Sequence, residues 1–240
     1  MKCFALLDYS TLSDPHAAPN IVLSAAHCQP ESLGSVQAHV NPFDVETPNL
    51  NSLLSSVSEI RIHPAYSSNQ ENDVMLLKLS SSVSSSVASP VRLNTNSNEP
   101  QGGDSLTAVG WGTTVSGVNA PPPVLQEVNV NYITNQDCQS KYDPDYDVTA
   151  DMLCCQESGQ GSCQGDSGGP LVIRGTSEDV QVGIVSWGIG CALPEYPGKA
   201  HVANVHYSGL RLTLSALLRR VQPRQRLVRL DSRERLQHDQ

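Results

Sequence analysis

Aromatic residues are scarce in this chain, 5% of 240 residues, and so are charged ones, at 16%. With 38% hydrophobic residues, so low a charge argues against disorder throughout. No apolar stretch reaches the roughly 18 to 20 residues that a membrane helix needs, so a soluble protein without a transmembrane segment is expected. The seven cysteines, at 3, 28, 138, 154, 155, 163 and 191, show neither the CxxC nor the Cys/His spacing of a zinc site. Basic residues are also few over most of the length: residues 1–210 carry 7 Lys/Arg against 21 Asp/Glu. Phosphate recognition needs a positive surface, so nucleic acid is not expected as a partner. A complete signal peptide is not visible either, because only Met1-Lys2 and the run Cys3 to Leu7 precede Asp8.

What the chain does have is turn residues and short β-compatible runs. Asn20 to Leu23, Val57 to Ile62, Val74 to Leu79, Leu125 to Tyr132, Pro170 to Ile173 and Val180 to Trp187 read as strands. Ser80 to Ser89, Asn94 to Gly103 and Asn119 to Pro123 separate them and read as exposed loops. This pattern is all-β, a sandwich or barrel, and the length allows one large domain or two subdomains. Residues 211–240 differ in kind, with 8 Arg against 3 acids. Leu210 to Val221 suggests a helix there, followed by an Arg-rich tail that could contact anionic surfaces. Disulfides are the better reading of the cysteines, which implies an oxidising compartment. Seven is odd, so at least one thiol stays free or pairs between chains.

Three segments carry chemistry. In Gly165-Asp166-Ser167-Gly168-Gly169-Pro170 a serine sits among small residues, where a tight turn can expose its hydroxyl and aim backbone N–H groups into one space. An acyl-transfer nucleophile needs both. Ser24-Ala25-Ala26-His27-Cys28 sets a histidine against small residues, and Asn72-Asp73 opens the apolar run Val74 to Leu79, where a buried carboxylate could hold one histidine tautomer. Alone, each is also an ordinary turn or strand end.

Together, in the order His, Asp, Ser, the segments SAAHC, NDVMLLKL and GDSGGP resemble the signatures of the chymotrypsin-fold (trypsin-like) serine proteases. Ile62-His63-Pro64-Ala65-Tyr66, Val109-Gly110-Trp111-Gly112, Leu125-Gln126, Ile184-Val185-Ser186-Trp187-Gly188, Gly190-Cys191-Ala192 and Pro197-Gly198 extend the likeness over roughly residues 20 to 205. The resemblance implies two antiparallel six-stranded β-barrels with the site in the cleft between them. Here the first barrel would lack its opening strands and a C-terminal helix or tail would follow. It implies a triad of His27, Asp73 and Ser167, an oxyanion hole from the N–H groups of Gly165 and Ser167, and neither cofactor nor metal. It also pairs Cys138 with Cys154 and Cys163 with Cys191, leaves Cys155 without a counterpart, and makes Cys3 a candidate partner for Cys28.

The pocket base in the family lies six residues before the nucleophile, at Gly161, where trypsin-like members carry an aspartate. Without that charge a buried Arg or Lys loses its main electrostatic warrant. Gly188 and Gly198 leave the entrance open, favouring a large apolar or aromatic side chain, although Glu157 or Glu195 could still attract a basic one. Ser186, Trp187 and Gly188 would pair with the substrate backbone. The family is activated when a newly cut N-terminus pairs with the aspartate before the nucleophile, here Asp166. No cleavage motif precedes His27, and the Val-Tyr that usually follows Pro-Gly is replaced by Lys199-Ala200.

The expectation is therefore an atypical segment at 1–19, a protease domain at 20–207 and an Arg-rich helix or disordered tail at 208–240. The function expected is a secreted serine endopeptidase, not strictly Arg/Lys-specific, acting on polypeptides or meeting protein inhibitors. The alternative is a catalytically silent homologue that binds or inhibits another protein.

Overall fold

The strands follow the apolar pattern closely. The computed structural model describes residues 3–7, 20–47, 52–115, 117, 118, 120–142, 144–192, 197–202 and 227–232, with the backbone alone for 3–7, 198–202 and 227–232. The first half contains β1 (Cys3–Leu7), β2 (Ile21–Ser24), β3 (Val36–Val40), β4 (Leu53–Ile62) and β5 (Met75–Leu79). The second contains β6 (Arg92–Leu93), β7 (Ser105–Gly110), β8 (Gln126–Ile133), helix α1 (Asn135–Tyr142), β9 (Met152–Gln156), β10 (Pro170–Ile173), β11 (Val180–Trp187) and β12 (Gly198–Val202). A last strand, β13 (Leu227–Ser232), lies near the C-terminal end.

The fold expectation needs correction. Between residues 20 and 79 the first half forms a curled four-stranded antiparallel sheet, β3-β4-β5-β2, not the closed six-stranded barrel expected. Its two edges are taken by strands from the chain's ends: β1 pairs with β2, β13 pairs with β3, and β1 pairs with β13. The strand at 227–232 replaces the helix or tail expected there, and the helix suggested for Leu210 to Val221 lies outside the described residues. In the second half six antiparallel strands curl in the order β10-β7-β8-β9-β12-β11. The short β6 adds to β11 in parallel, so this sheet has seven strands and is not purely antiparallel. Strand pairing uses backbone groups that every residue carries, so composition and spacing gave no hold on these edges.

Where the core sits explains where the site sits. In β3, Val36, Ala38 and Val40 are buried and alternate with Gln37 and His39, the period-2 pattern of a strand with one covered face. By contrast β2 is buried on both faces. Val22 joins Met75, Leu77 and Leu79 in the first core, while Ile21, Leu23 and Leu76 pack against Val172 of β10 and Ile184 of β11. Thus β2 and β5 are shared between the halves, and burying such Leu, Ile and Val side chains contributes about 1.5–3 kcal/mol each. The Ser-rich segment expected as an exposed loop also reaches inward, since Val83 and Ala88 are buried in the first core.

The helix α1 was not legible as a strand or loop. Thr134 caps it: the Asp137 N–H donates to Thr134 Oγ1 at 3.1 Å, and the Thr134 hydroxyl donates to Asp137 Oδ2 at 2.6 Å. Thr-x-x-Asp is a capping-box pattern, the signal that could have found it.

Candidate active site

Antiparallel pairing brings together segments far apart in sequence. Ser24 at the end of β2 lies opposite Met75 at the start of β5. The turn after β2, Ala26–Cys28, therefore meets the loop before β5, and His27 meets Asp73. The His27 N–H donates to Asp73 Oδ1 at 2.8 Å, and His27 Nδ1 lies 2.6 Å from Asp73 Oδ2. Asn72 adopts a left-handed backbone conformation, φ 52°, and its N–H donates to Asp151 Oδ2 at 2.6 Å, which fixes the approach to Asp73 from the second half. From β11 the Ser186 hydroxyl donates to Asp73 Oδ2 at 2.5 Å. Asp73 is fully buried. Burial alone would raise its carboxyl, but the His27 ring bond and charge, the Ser186 hydroxyl and the His27 N–H together hold it below the ordinary carboxylate range.

Ser167 stands on the turn that leads into β10. Glycines at 165 and 168 take φ of 99° and 77°, a region open to them without strain. The Gly168 N–H donates to the Val185 carbonyl at 2.8 Å, and the Val185 N–H donates to the Gly169 carbonyl at 2.8 Å, pinning the turn to β11. Among the described residues the Gly165 and Ser167 N–H groups make no hydrogen bond, and none joins Ser167 to His27. The turn is braced by the Cys163–Cys191 disulfide, and a second disulfide joins Cys138 of α1 to Cys154 of β9. Cys28 is disulfide-bonded too, and the Cys3 side chain expected as its partner lies outside the described residues. Cys155 is a buried free thiol, and burial pushes its ionisation well up.

Asp166 points away from the nucleophile. Its Oδ1 accepts the Gly112 N–H at 2.8 Å and its Oδ2 accepts the Cys163 N–H at 2.9 Å. Among the described residues no cation pairs with it. Burial raises its carboxyl, outweighing the lowering by the Cys163 and Gly112 bonds. A carboxyl raised in the fold holds its proton more tightly there than in the unfolded chain, so stability is lost as pH climbs through the raised value. Asp166→Asn should lack that loss. The stability difference, variant minus unmodified protein, should increase from pH 4 to pH 7 in urea titrations; a pH-independent difference would refute the assignment.

A cavity of about 200 Å³ opens beside Ser167. Gly161, Ser186, Trp187 and Gly188 line it, as do Gly190, Cys155 and Glu157, while Gly198 is placed by its backbone alone, in β12 opposite Cys155. The Glu157 carboxylate accepts the Asn131 side-chain amide at 2.7 Å and the Ser158 N–H at 3.0 Å; Glu195 lies outside the described residues. Sequence reasoning gave Ser186 a substrate-backbone role and missed its hydroxyl bond to Asp73. It also missed Asp151, and no local pattern links either residue to Asp73.

The Trypsin family model matches residues 17–207. Trypsin II-P29 of Gallus gallus is 40% identical over 181 residues, covering 74% of this chain and 68% of its own length. Trypsin alpha of Drosophila melanogaster is 41% identical over 184 residues, covering 75% and 68%. A tryptase of Mus musculus is 40% identical over 194 residues, covering 75% and 70%. A buried aspartate holding a histidine and accepting the Ser186 hydroxyl, with Ser167 on the turn into β10 lining the same cavity as Ser186, suits a serine hydrolase. The chain belongs to the trypsin family of serine peptidases.

Proposed function

We propose that the protein is an endopeptidase that cleaves peptide bonds through an acyl-enzyme on Ser167. The observation that carries this reading is the His27–Asp73 pair at 2.6 Å, tied through the Ser186 hydroxyl on Asp73 to the wall of the cavity that Ser167 and Ser186 both line. Ser167 Oγ attacks the scissile carbonyl carbon and its proton passes to His27 Nε2. Asp73 keeps the ring's other nitrogen protonated and stabilises the imidazolium. The unengaged N–H groups of Gly165 and Ser167 receive the negative oxygen. His27 then returns the proton to the leaving amine as the C–N bond breaks, and water releases the acyl group by the same path.

Specificity follows from the cavity's walls. Gly161 puts no charge at the base, and Gly188 leaves the entrance open, which favours a large apolar or aromatic side chain over strict Arg/Lys selection. Two internal disulfides support secretion, because such bonds persist in oxidising compartments. Among the described residues no helix is long and apolar enough to cross a membrane.

A second reading, a silent homologue that binds proteins through the same cleft, is favoured by one observation: Asp166 has no cationic partner among the described residues. A fluorophosphonate probe separates the two, since it reacts only with an activated serine. Labelling of the oxidatively folded protein, lost in Ser167→Ala, is the expected result. No labelling of folded protein would move the assignment to the silent homologue.

A further inference from the structure

Asp73 sits at the centre of a three-residue turn, closed by the Val74 N–H donating to the Asn72 carbonyl at 2.7 Å. The direction of its carboxylate therefore depends on how Asn72 and Val74 are held. Val74 is held within the first half, where its carbonyl accepts the His63 N–H at 2.9 Å. Asn72 is held from both halves. Its side-chain amide donates to the Ala65 carbonyl at 3.2 Å, and its N–H donates to Asp151 Oδ2 at 2.6 Å. The bond to Asp151 is short and has a charged acceptor, the stronger kind. Asn72 needs that support, because its φ of 52° is a left-handed conformation that a residue with a Cβ keeps only when its surroundings fix it. Asp151 is anchored in turn. Its Oδ1 accepts the Thr149 hydroxyl, and the Thr149 carbonyl accepts the Met152 N–H at 3.1 Å and the Asn135 side-chain amide at 2.8 Å, at the start of α1.

We propose that Asp151 is a positioning residue for the His27–Asp73 pair: through Asn72 it sets how Asp73 meets His27, without itself touching substrate. The proposal rests on the endopeptidase reading. Asp73 accepts two bonds from His27, in the first half, and one from Ser186, in the second. A carboxylate that serves partners in both halves must be fixed relative to both, and the Asn72–Asp151 bond ties its turn to the second half one residue away. Without Asp151 the Asn72 N–H loses this acceptor, and the turn is free to leave the left-handed conformation and carry Asp73 with it. What the bond requires is an accepting oxygen at that place. An asparagine at 151 supplies one; a glutamate, one methylene longer, displaces it. Charge acts separately: burial lowers the His63 ring below its ordinary value, and the Asp151 charge opposes that.

The test compares full-length Asp151→Ala, Asp151→Asn and Asp151→Glu proteins with the unmodified one by two readouts. The first is hydrolysis of N-acetyl-phenylalanine p-nitroanilide, whose side chain suits the uncharged pocket. In Asp151→Ala kcat should fall roughly 10–100-fold with KM within about twofold, the mark of a misplaced catalytic group. Asp151→Asn should keep kcat within about threefold of the unmodified protein, because its amide oxygen accepts the Asn72 N–H. Asp151→Glu should not. The second readout is the far-downfield proton resonance of the His27 Nδ1–H, which the short bond to Asp73 produces and which His27→Ala should abolish. It should move or broaden in Asp151→Ala and Asp151→Glu and stay in place in Asp151→Asn. Should Asp151→Ala fail to fold, the Asn and Glu proteins decide. Lower stability in urea with unchanged kcat and an unchanged resonance would overturn the proposal, leaving Asp151 a merely structural residue. Normal kcat in Asp151→Glu beside an impaired Asp151→Asn would overturn it too, since charge would then be what matters. The resonance needs no turnover, so the expected shifts without hydrolysis by any of the proteins would sink the endopeptidase reading and leave the positioning role standing.

Discussion

Asp73→Asn should lower kcat/KM about 10⁴-fold while the chain still folds. Three donors converge on the Asp73 carboxylate: the His27 N–H at 2.8 Å, the His27 ring at 2.6 Å and the Ser186 hydroxyl at 2.5 Å. A carboxylate accepts all three; an amide has one accepting oxygen and presents N–H groups on its other side. If the amide oxygen keeps the backbone N–H, its NH₂ faces His27 Nδ1 and forces the tautomer in which Nε2 carries the proton, so the ring cannot take a proton from Ser167. Leaving a buried donor unsatisfied also costs about 1–3 kcal/mol of stability. The pH behaviour supplies a further check. Because the Asp73 carboxyl is held low in the fold, it contributes stability above its ordinary value that is lost as pH falls through the lowered one. The variant should lack that part of the acid-side loss. Near-normal kcat/KM in Asp73→Asn would remove Asp73 from the mechanism.

How much of this was legible before the structure depended on whether a feature lay within one segment. Segments carrying His27, Asp73 and Ser167 stand out because each has its chemical residue beside the small or apolar neighbours it needs. β2, β5, β10 and β11 were visible because their apolar runs are short and bounded. The Ser186–Asp73 bond spans 113 residues, and nothing in either segment points to the other. Val83 and Ala88 were too sparse among serines to show a period, yet both are buried. The edges of the first sheet were invisible for a different reason. β1 and β13 meet through backbone groups, Cys3 opposite Leu230 and Leu6 opposite Leu227, and the sequence around β13 reads chiefly as arginine-rich. Composition suggested a tail where pairing makes a strand.

The motif Val109-Gly110-Trp111-Gly112 could be matched to a family from sequence, but only the packing gives its glycines a reason. A Cβ on Gly112 would fall 2.4 Å from both Cγ and Oδ2 of Asp166, and one on Gly110 would fall 2.2 Å from Asp166 Oδ1. The carboxylate cannot swing away freely, because the Gly112 and Cys163 N–H groups hold it. Nor can the backbone beneath it shift alone: the Asp166 N–H donates to the Cys163 carbonyl at 3.0 Å, and its carbonyl accepts the Gly169 N–H at 2.9 Å. Any displacement therefore passes to the Gly165 and Ser167 N–H groups on either side. Gly112→Ala should cost about 1–3 kcal/mol in urea unfolding, as overpacking does. It should lower kcat/KM by about 10²–10³, the scale of losing one oxyanion donor. Gly34→Ala is the control, since a Cβ there meets nothing within 4 Å, and both quantities should stay near the unmodified protein's. Adding Asp166→Ala to Gly112→Ala removes the group that the new methyl strikes. The double variant should then be more stable than the sum of its single changes, by the coupling that contacting residues show. Strict additivity, or a Gly112→Ala protein of unmodified stability, would mean that the Asp166 carboxylate is not confined as described. In that case the serine turn would be held by the disulfide and the pairing to β11 alone.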